Sequence, residues 1–146
     1  MAGMVIIGAG ECGTRVALAL REAGYDGAMT LIGGEPHAPY ERPPLSKDAL
    51  AAEAPASKAI GGGSDRLAEF GVDFRPSRET LGIDRTVRRV LLDGETAPFE
   101  RLLFATGARH GPCRCPGPVG PTSSRCVRWT TRPASAPRSG PASASR

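Results

Sequence analysis

Glycines at positions 8, 10 and 13, followed by an acidic residue at Glu35, are the residues of this chain whose types and spacing could do chemistry. In the pattern G-x-G-x-x-G the first glycine permits a tight turn, the second lets a diphosphate approach the backbone, and the third lets a helix pack close to the preceding strand. A helix that starts at such a turn offers unpaired N–H groups and a partial positive charge to phosphates. Glu35 follows Gly13 by 22 residues, where a carboxylate can accept hydrogen bonds from a ribose diol. Gly8, Gly10, Gly13 and Glu35 thus point to a dinucleotide site, against the competing reading that glycines in a chain with 19 of them fall at this spacing by accident. The pattern alone does not separate NAD from FAD. Cys12, inside the turn, is either a small packing residue or a reactive thiol.

Such a site needs a strand, a turn, a helix and a second strand in register. Residues 4–7 form a short apolar run that enters the glycine turn. In residues 14–23, Val16, Ala17, Leu20 and Ala23 recur at helical spacing, and Gly24 supplies a stop. Residues 28–32 predict the second strand, which completes a βαβ unit. A proline-rich loop spans 34–44, Ser46 can cap a short helix through Leu50, and the small and polar residues of 51–63 predict a mobile connection. A short helix over 64–70 and a third parallel strand over 72–74 follow. Residues 81–84 and 87–92, a tight Asp93-Gly94 turn and a short run near Phe99 predict an antiparallel meander, and 101–105 is the last strand. The expected fold class is α/β: an incomplete Rossmann-like βαβ dinucleotide-binding domain over residues 1–109 with a small antiparallel meander, then a disordered tail over 110–146.

Charge divides the chain at the same place. The sequence pI is about 9.2, but all 15 acidic residues lie between Glu11 and Glu100, together with 13 of the 19 Lys and Arg. The other six Arg lie in the tail, which carries no acid. A basic balance confined to the tail gives the domain itself no reason to bind nucleic acid. No apolar run approaches the roughly 20 residues of a membrane span, and residues 4–8 are too short for a signal-peptide core, so the expected compartment is the cytoplasm. Cys12 has no partner cysteine before residue 110, which argues against a disulfide framework, and no Ser/His/Asp or metal constellation stands in the domain.

The segment EPHAPYERPPLSK, residues 35–47, closely resembles the FAD-dependent NAD(P)H reductases that serve ferredoxins and Rieske-type oxygenases, the putidaredoxin and rubredoxin reductase group. The resemblance extends over residues 4–109 and includes the glycine turn and LLFATGAR, residues 102–109. It implies that Gly8, Gly10 and Gly13 hold the FAD pyrophosphate and Glu35 the adenosine ribose. Arg42 and Lys47 would lie along the pyrophosphate and the flavin ring, Thr80 would touch the adenine through its backbone, and Ala105, Thr106 and Gly107 would return beneath the same cofactor. The residues themselves agree: Pro43 and Pro44 fix φ and stiffen the loop that presents Arg42 and Lys47, whose charges suit a diphosphate. The alternatives are a surface ion pair for Arg42, with Glu41 or another acid, and a solvated helix position for Lys47. His37 and Tyr40 read as loop packing rather than catalysis. The disulfide reductases of the same superfamily carry a Cys-x-x-x-x-Cys pair near this loop, and residues 36–48 contain no cysteine. Electrons would therefore leave directly to a ferredoxin-like protein, and NAD(P)H would be used by the full-length family only.

The tail reads as something else. Residues 111–146 offer only Val119, Val127 and Trp129 to bury, too little to offset the entropy of ordering. An Arg-rich nucleic-acid arm, a metal site at His110, Cys113 and Cys115, and out-of-frame translation compete for this segment. GC-rich codons for residue 110 onward, regrouped after restoring one lost C, read P-R-P-L-P-V-P-G-A-G-G-P. From residue 122 the same regrouping allows D-V-L-P-L-R-T-L-D-D-A-A-G-V-R-A-A-L-R-A-G, the continuation expected from the resemblance. A one-base loss or sequencing error in codon 110 accounts for the whole tail, makes its cysteines accidents of frame and leaves it with no specific partner. Three functional expectations follow. One is a truncated FAD-dependent ferredoxin-type reductase without turnover and without an assignable catalytic residue. The others are a non-catalytic dinucleotide-binding module with a basic partner-binding tail, and a piece of another two-dinucleotide flavoprotein.

Overall fold

The computed structural model describes residues 2–46 and 59–108. By its internal contacts the chain divides into two compact units, one of Met1–Glu41 with Ala56–Arg109, the other of Arg42–Pro55 with His110–Arg146. Only residues 42–46 of the second unit are described, and Pro43–Ser46 forms a single 3-10 turn there. The helix expected from Ser46 to Leu50, Lys47 and the tail lie outside the described residues.

In the first unit, strand β1 (Gly3–Ile7) is central, and Val5, Ile6 and Ile7 are all nearly solvent-free. A strand covered on both faces reads as an unbroken apolar run, which is why residues 4–7 show no alternation. Helix α1 (Glu11–Glu22) begins directly after Gly10, three residues before the apolar spacing becomes visible. Its first two residues, Glu11 and Cys12, are exposed and contribute nothing to that spacing. The helix stops where Gly24 takes a φ of 87° and donates its N–H to the Arg21 carbonyl at 3.0 Å.

Strand β2 (Met29–Ile32) pairs parallel with β1, and β3 (Asp73–Arg75) pairs parallel with β2. Between β2 and β3 lie a 3-10 turn, Ile60–Gly62, and helix α2 (Gly63–Glu69). The mobility expected across 51–63 does not apply to its described end. Ile60 is 1% exposed and donates its N–H to the Pro39 carbonyl at 2.9 Å, because an isoleucine in that small, polar stretch has a core to enter.

Strands β4 (Thr80–Asp84), β5 (Arg89–Leu92) and β6 (Glu95–Phe104) complete a six-stranded sheet of order β3-β2-β1-β6-β5-β4. The short run near Phe99 and the separate last strand expected at 101–105 are one strand. The first half of β6 pairs antiparallel with β5, from Arg89 opposite Pro98 to Leu92 opposite Glu95. Its second half pairs parallel with β1, from Met4 opposite Arg101 to Ile7 opposite Phe104. The register shifts between Gly3 and Met4, where β6 carries one extra residue, Glu100, between the partners Phe99 and Arg101. Polar residues near that shift make one bent strand look like two in the sequence.

The alternating side chains of the parallel strands feed two cores. Ile6, Met29 and Leu31 pack with Ala17, Leu18, Leu67 and Val72, which seats α1 and α2 on one face. Val5, Ile7 and Ile32 pack with Val90, Leu92 and Ala97, which lays the meander over the other. Each fully buried Ile or Leu contributes about 1.5–3 kcal/mol relative to an exposed one. No helix among the described residues is long and apolar enough to cross a membrane.

Candidate dinucleotide-binding site

The candidate site lies at the carboxyl ends of β1, β2 and β6, where the chain leaves β1 for β2 on one side and returns as β6 on the other. In open α/β sheets such a change of direction opens a crevice outside the strand ends. Gly8 closes β1 by donating its N–H to the Ile32 carbonyl at 2.9 Å. Its φ of 112° is a conformation that L side chains rarely adopt. A Cβ at Gly8 would strike the Ala105 carbonyl, whose carbon would lie at 2.6 Å. A Cβ at Gly13 would collide with the Gly8 carbonyl oxygen and stand 3.2 Å from Ala105 Cβ. Gly8 and Gly13 are therefore required by the packing of the turn, the helix and residue 105.

Gly10 differs. A Cβ there would meet nothing within 4 Å among the described residues. Gly10 is also the N-cap of α1, in extended conformation and without any side-chain hydrogen bond to the helix. The first turn of a 12-residue helix thus presents its N–H groups beside open space, the arrangement that accepts a diphosphate. Glu11 bonds Arg15 one turn along, so its carboxylate is engaged on the helix surface. Cys12 is exposed, which corrects its reading as a packing residue.

Residue 105 returns against the turn from the other side. The Ala105 N–H bonds the Ile7 carbonyl at 2.8 Å, which extends the β1 pairing by one residue. The Thr106 amide nitrogen would be 3.0 Å from a Cβ at Gly8, and a Cβ at Gly107 would meet nothing within 4 Å. Gly8, Gly13, Ala105 and Thr106 are thereby brought together, with Gly10 and Gly107 left open.

The end of β2 supplies the third wall. A Cβ at Gly33 would lie 3.0 Å from Ala9 Cβ, so the chain entering the acidic residue passes close under the glycine turn. Two bonds from the segment after β3 hold this entry: Arg78 N–H to the Gly33 carbonyl at 2.9 Å and Ser77 N–H to the Glu35 carbonyl at 3.1 Å. The half-buried Glu35 carboxylate accepts a hydrogen bond from the Tyr40 hydroxyl at 2.6 Å. Tyr40 is only 7% exposed, and its backbone bridges to Ala59. The expected packing of Tyr40 is present, but its hydroxyl also anchors Glu35. The missed signal was physical: a tyrosine sunk in a loop needs a partner for its O–H, and the acid five residues earlier is within reach. His37 is half-buried in the same loop, and its Nε2 has no hydrogen-bond partner among the described residues.

Of the remaining expected residues, Thr80 and Arg42 are described and Lys47 is not. Thr80 opens β4 and pairs with Leu92 in the meander, with its Oγ1 buried and without a hydrogen-bond partner among the described residues. Arg42 is exposed and belongs to the second compact unit.

A family model described as pyridine nucleotide-disulphide oxidoreductase matches residues 3–136. The chain is 41% identical over 107 residues to the ferredoxin–NAD(+) reductase component of the p-cumate 2,3-dioxygenase system of Pseudomonas putida, covering 73% of this chain and 26% of that protein. It is 35% identical over 115 residues to rhodocoxin reductase of Rhodococcus erythropolis, covering 78% and 27%. Among solved structures, a covalent putidaredoxin reductase–putidaredoxin complex superposes with a TM-score of 0.69 at 32% identity, over 77% of this chain and 27% of that one. The NADH:rubredoxin oxidoreductase of Clostridium acetobutylicum superposes with a TM-score of 0.63 at 26% identity, over 78% and 30%. The chain spans about a quarter of the length of the curated relatives it matches.

Proposed function

We propose, from a chain that belongs to the pyridine nucleotide-disulphide oxidoreductase family, that it forms the FAD-holding part of an NAD(P)H-dependent reductase for ferredoxin-like proteins. The observation that carries this is the contrast within the glycine turn: Gly8 and Gly13 are demanded by internal packing, whereas Gly10 faces open space at an uncapped helix start. A turn kept for folding alone has no need of a bare backbone at its one unobstructed position. The backbone there and the α1 N–H groups would hold the diphosphate, Glu35 the ribose diol, and Ala105, Thr106 and Gly107 the underside of the cofactor. Thr80 is assigned to the adenine, and Arg42 and Lys47 to the pyrophosphate and flavin ring. When bound, the flavin supplies the conversion of a two-electron hydride donor into single-electron transfer. The name of the Pseudomonas putida relative supports a ferredoxin-type acceptor, and the cytoplasm is the compartment assigned within this proposal.

The same proposal includes the reading frame. The tail is assigned to a one-base loss at codon 110, supported by the regrouped codons, although the family match runs through it to residue 136. The nucleotide sequence decides: an intact frame across codon 110 that encodes this tail would overturn the assignment.

Cofactor binding is tested by titrating FAD with the purified 146-residue chain and following flavin fluorescence. Saturable quenching that ADP competes away is expected. Fluorescence that stays constant through the titration would refute the assignment.

A further inference from the structure

Within the proposed dinucleotide site, on which this inference rests, we infer that Glu95 is a positioning residue: from the meander it fixes the bend after β3 that holds residues 33–35 at the ribose end of the site. Three backbone bonds join the two segments. Gly33 N–H reaches the Arg75 carbonyl at 2.9 Å, Arg78 N–H the Gly33 carbonyl at 2.9 Å, and Ser77 N–H the Glu35 carbonyl at 3.1 Å. The first only prolongs the β2–β3 pairing, which ends with Ile32 opposite Arg75. The other two require the chain to turn back. Ser77 does so at a φ of 54°, a left-handed conformation that a residue with a side chain keeps only where its surroundings impose it. The side chains on either side of Pro76 and Ser77 do the imposing. Arg78 Nε stands 3.1 Å from one oxygen of the Glu95 carboxylate and Arg75 Nη1 3.5 Å from the other, so one acid ties both ends of the bend. Arg75 is set in turn by Asp73 at 2.8 Å. Glu95 stands on a firm base: it opens β6 opposite the buried Leu92, and the Asp93 N–H beside it bonds the Glu79 carbonyl at 3.3 Å. The three charged groups are partly exposed, so their pairing adds little to the stability of the whole fold. Its effect lies in the fraction of molecules with the bend closed, and apparent affinity scales with that fraction.

The test uses the full chain and two probes, ADP and 2′,3′-dideoxy-ADP, in calorimetric titrations of the wild type, Glu95→Gln, Arg78→Gln and the double variant, at low salt and at high salt. The wild type should bind ADP more tightly than the dideoxy nucleotide, as the assignment of Glu35 to the ribose diol requires. At low salt Glu95→Gln should weaken ADP by about three- to fivefold, the scale of a partly exposed ion pair, and leave dideoxy-ADP unchanged. Arg78→Gln should do the same, and the double variant little more. At high salt the wild type should approach the variants, since screening weakens the same interaction in it. Thermal melts of each variant establish that the fold is retained. Equal weakening of both nucleotides would assign Glu95 to folding alone and overturn the inference, as would unchanged ADP affinity in Glu95→Gln. A wild type that binds both probes alike, or neither, would instead remove the ribose reading of the site and this inference with it.

Discussion

Placing a single methyl group at position 13 or at position 10 should separate what the glycine turn does for folding from what it does for binding. In Gly13→Ala the new carbon lands on the Gly8 carbonyl oxygen, while ordinary van der Waals contact begins near 3.4 Å. The oxygen belongs to the backbone and cannot rotate away, so α1 has to move off β1 by about 1 Å or more. That movement loosens Ala17 and Leu18, buried about one turn further along the same helix. Overpacking of this kind costs about 1–3 kcal/mol where side chains can adjust; against backbone the cost should reach about 3 kcal/mol or more. A domain of this size has only about 5–15 kcal/mol in total. At roughly 4–8 °C per kcal/mol, Gly13→Ala should lower Tm by at least about 12 °C. Gly10→Ala meets no atom, and its φ of −86° suits alanine. The weaker N-cap and the reduced freedom of the unfolded chain act in opposite directions, for a net change within about 1 kcal/mol. FAD affinity should nevertheless fall by more than tenfold in Gly10→Ala, since the methyl group occupies the space through which a diphosphate approaches. Circular-dichroism melts and flavin titrations on both variants read the two effects. A Gly13→Ala protein that melts within 2–3 °C of the wild type, on the order of 0.5 kcal/mol, would refute the steric reasoning, and so would a Gly10→Ala protein that loses stability but binds as before.

Three other outcomes are expected. Arg21→Met should cost about 2–4 kcal/mol, because the guanidinium donates to the Tyr25, Gly27 and Gly71 carbonyls at 2.6, 2.8 and 2.9 Å and lies over the Tyr25 ring; urea unfolding with an unchanged m-value is the check. Glu95→Gln should cost under about 1 kcal/mol, although Arg75 and Arg78 both reach this partly exposed carboxylate, and the difference should shrink in 1 M salt. Leu67→Ala should cost about 2–5 kcal/mol, since this side chain is 1% exposed where α2 meets the parallel strands; a thermal melt reads it.

Sequence patterns carried the strands and glycines further than the loops. Residues 4–7, 28–32 and 72–74 stood out because apolar runs have one stable destination in a parallel sheet, and the structure places β1, β2 and β3 there. The G-x-G-x-x-G spacing located both the turn and the helix behind it, although α1 starts earlier than its apolar positions show. What could not be read was pairing between distant residues. That Ala105 presses on Gly8 and Gly13 depends on β6 lying beside β1, and nothing near residue 105 encodes it locally. The hydrogen bond from Tyr40 to Glu35 was hidden for a different reason: burial of a loop residue follows from what covers it, not from its own pattern.

The position of β1 also sets the order in which this protein can be assembled. β1 leaves the ribosome before the other strands of this sheet, yet one of its two neighbours, β6, is made about ninety residues later. At about 5–20 residues per second, β1 waits roughly 5–20 s with an open edge and an uncovered apolar face. The meander that covers Val5, Ile7 and Ile32 arrives in the same late segment, so the second core and the sheet are completed together. Synthesis interrupted before Phe104 would leave a sticky half-sheet for chaperones and proteases, whereas interruption after Ala105 would leave every strand of this sheet paired.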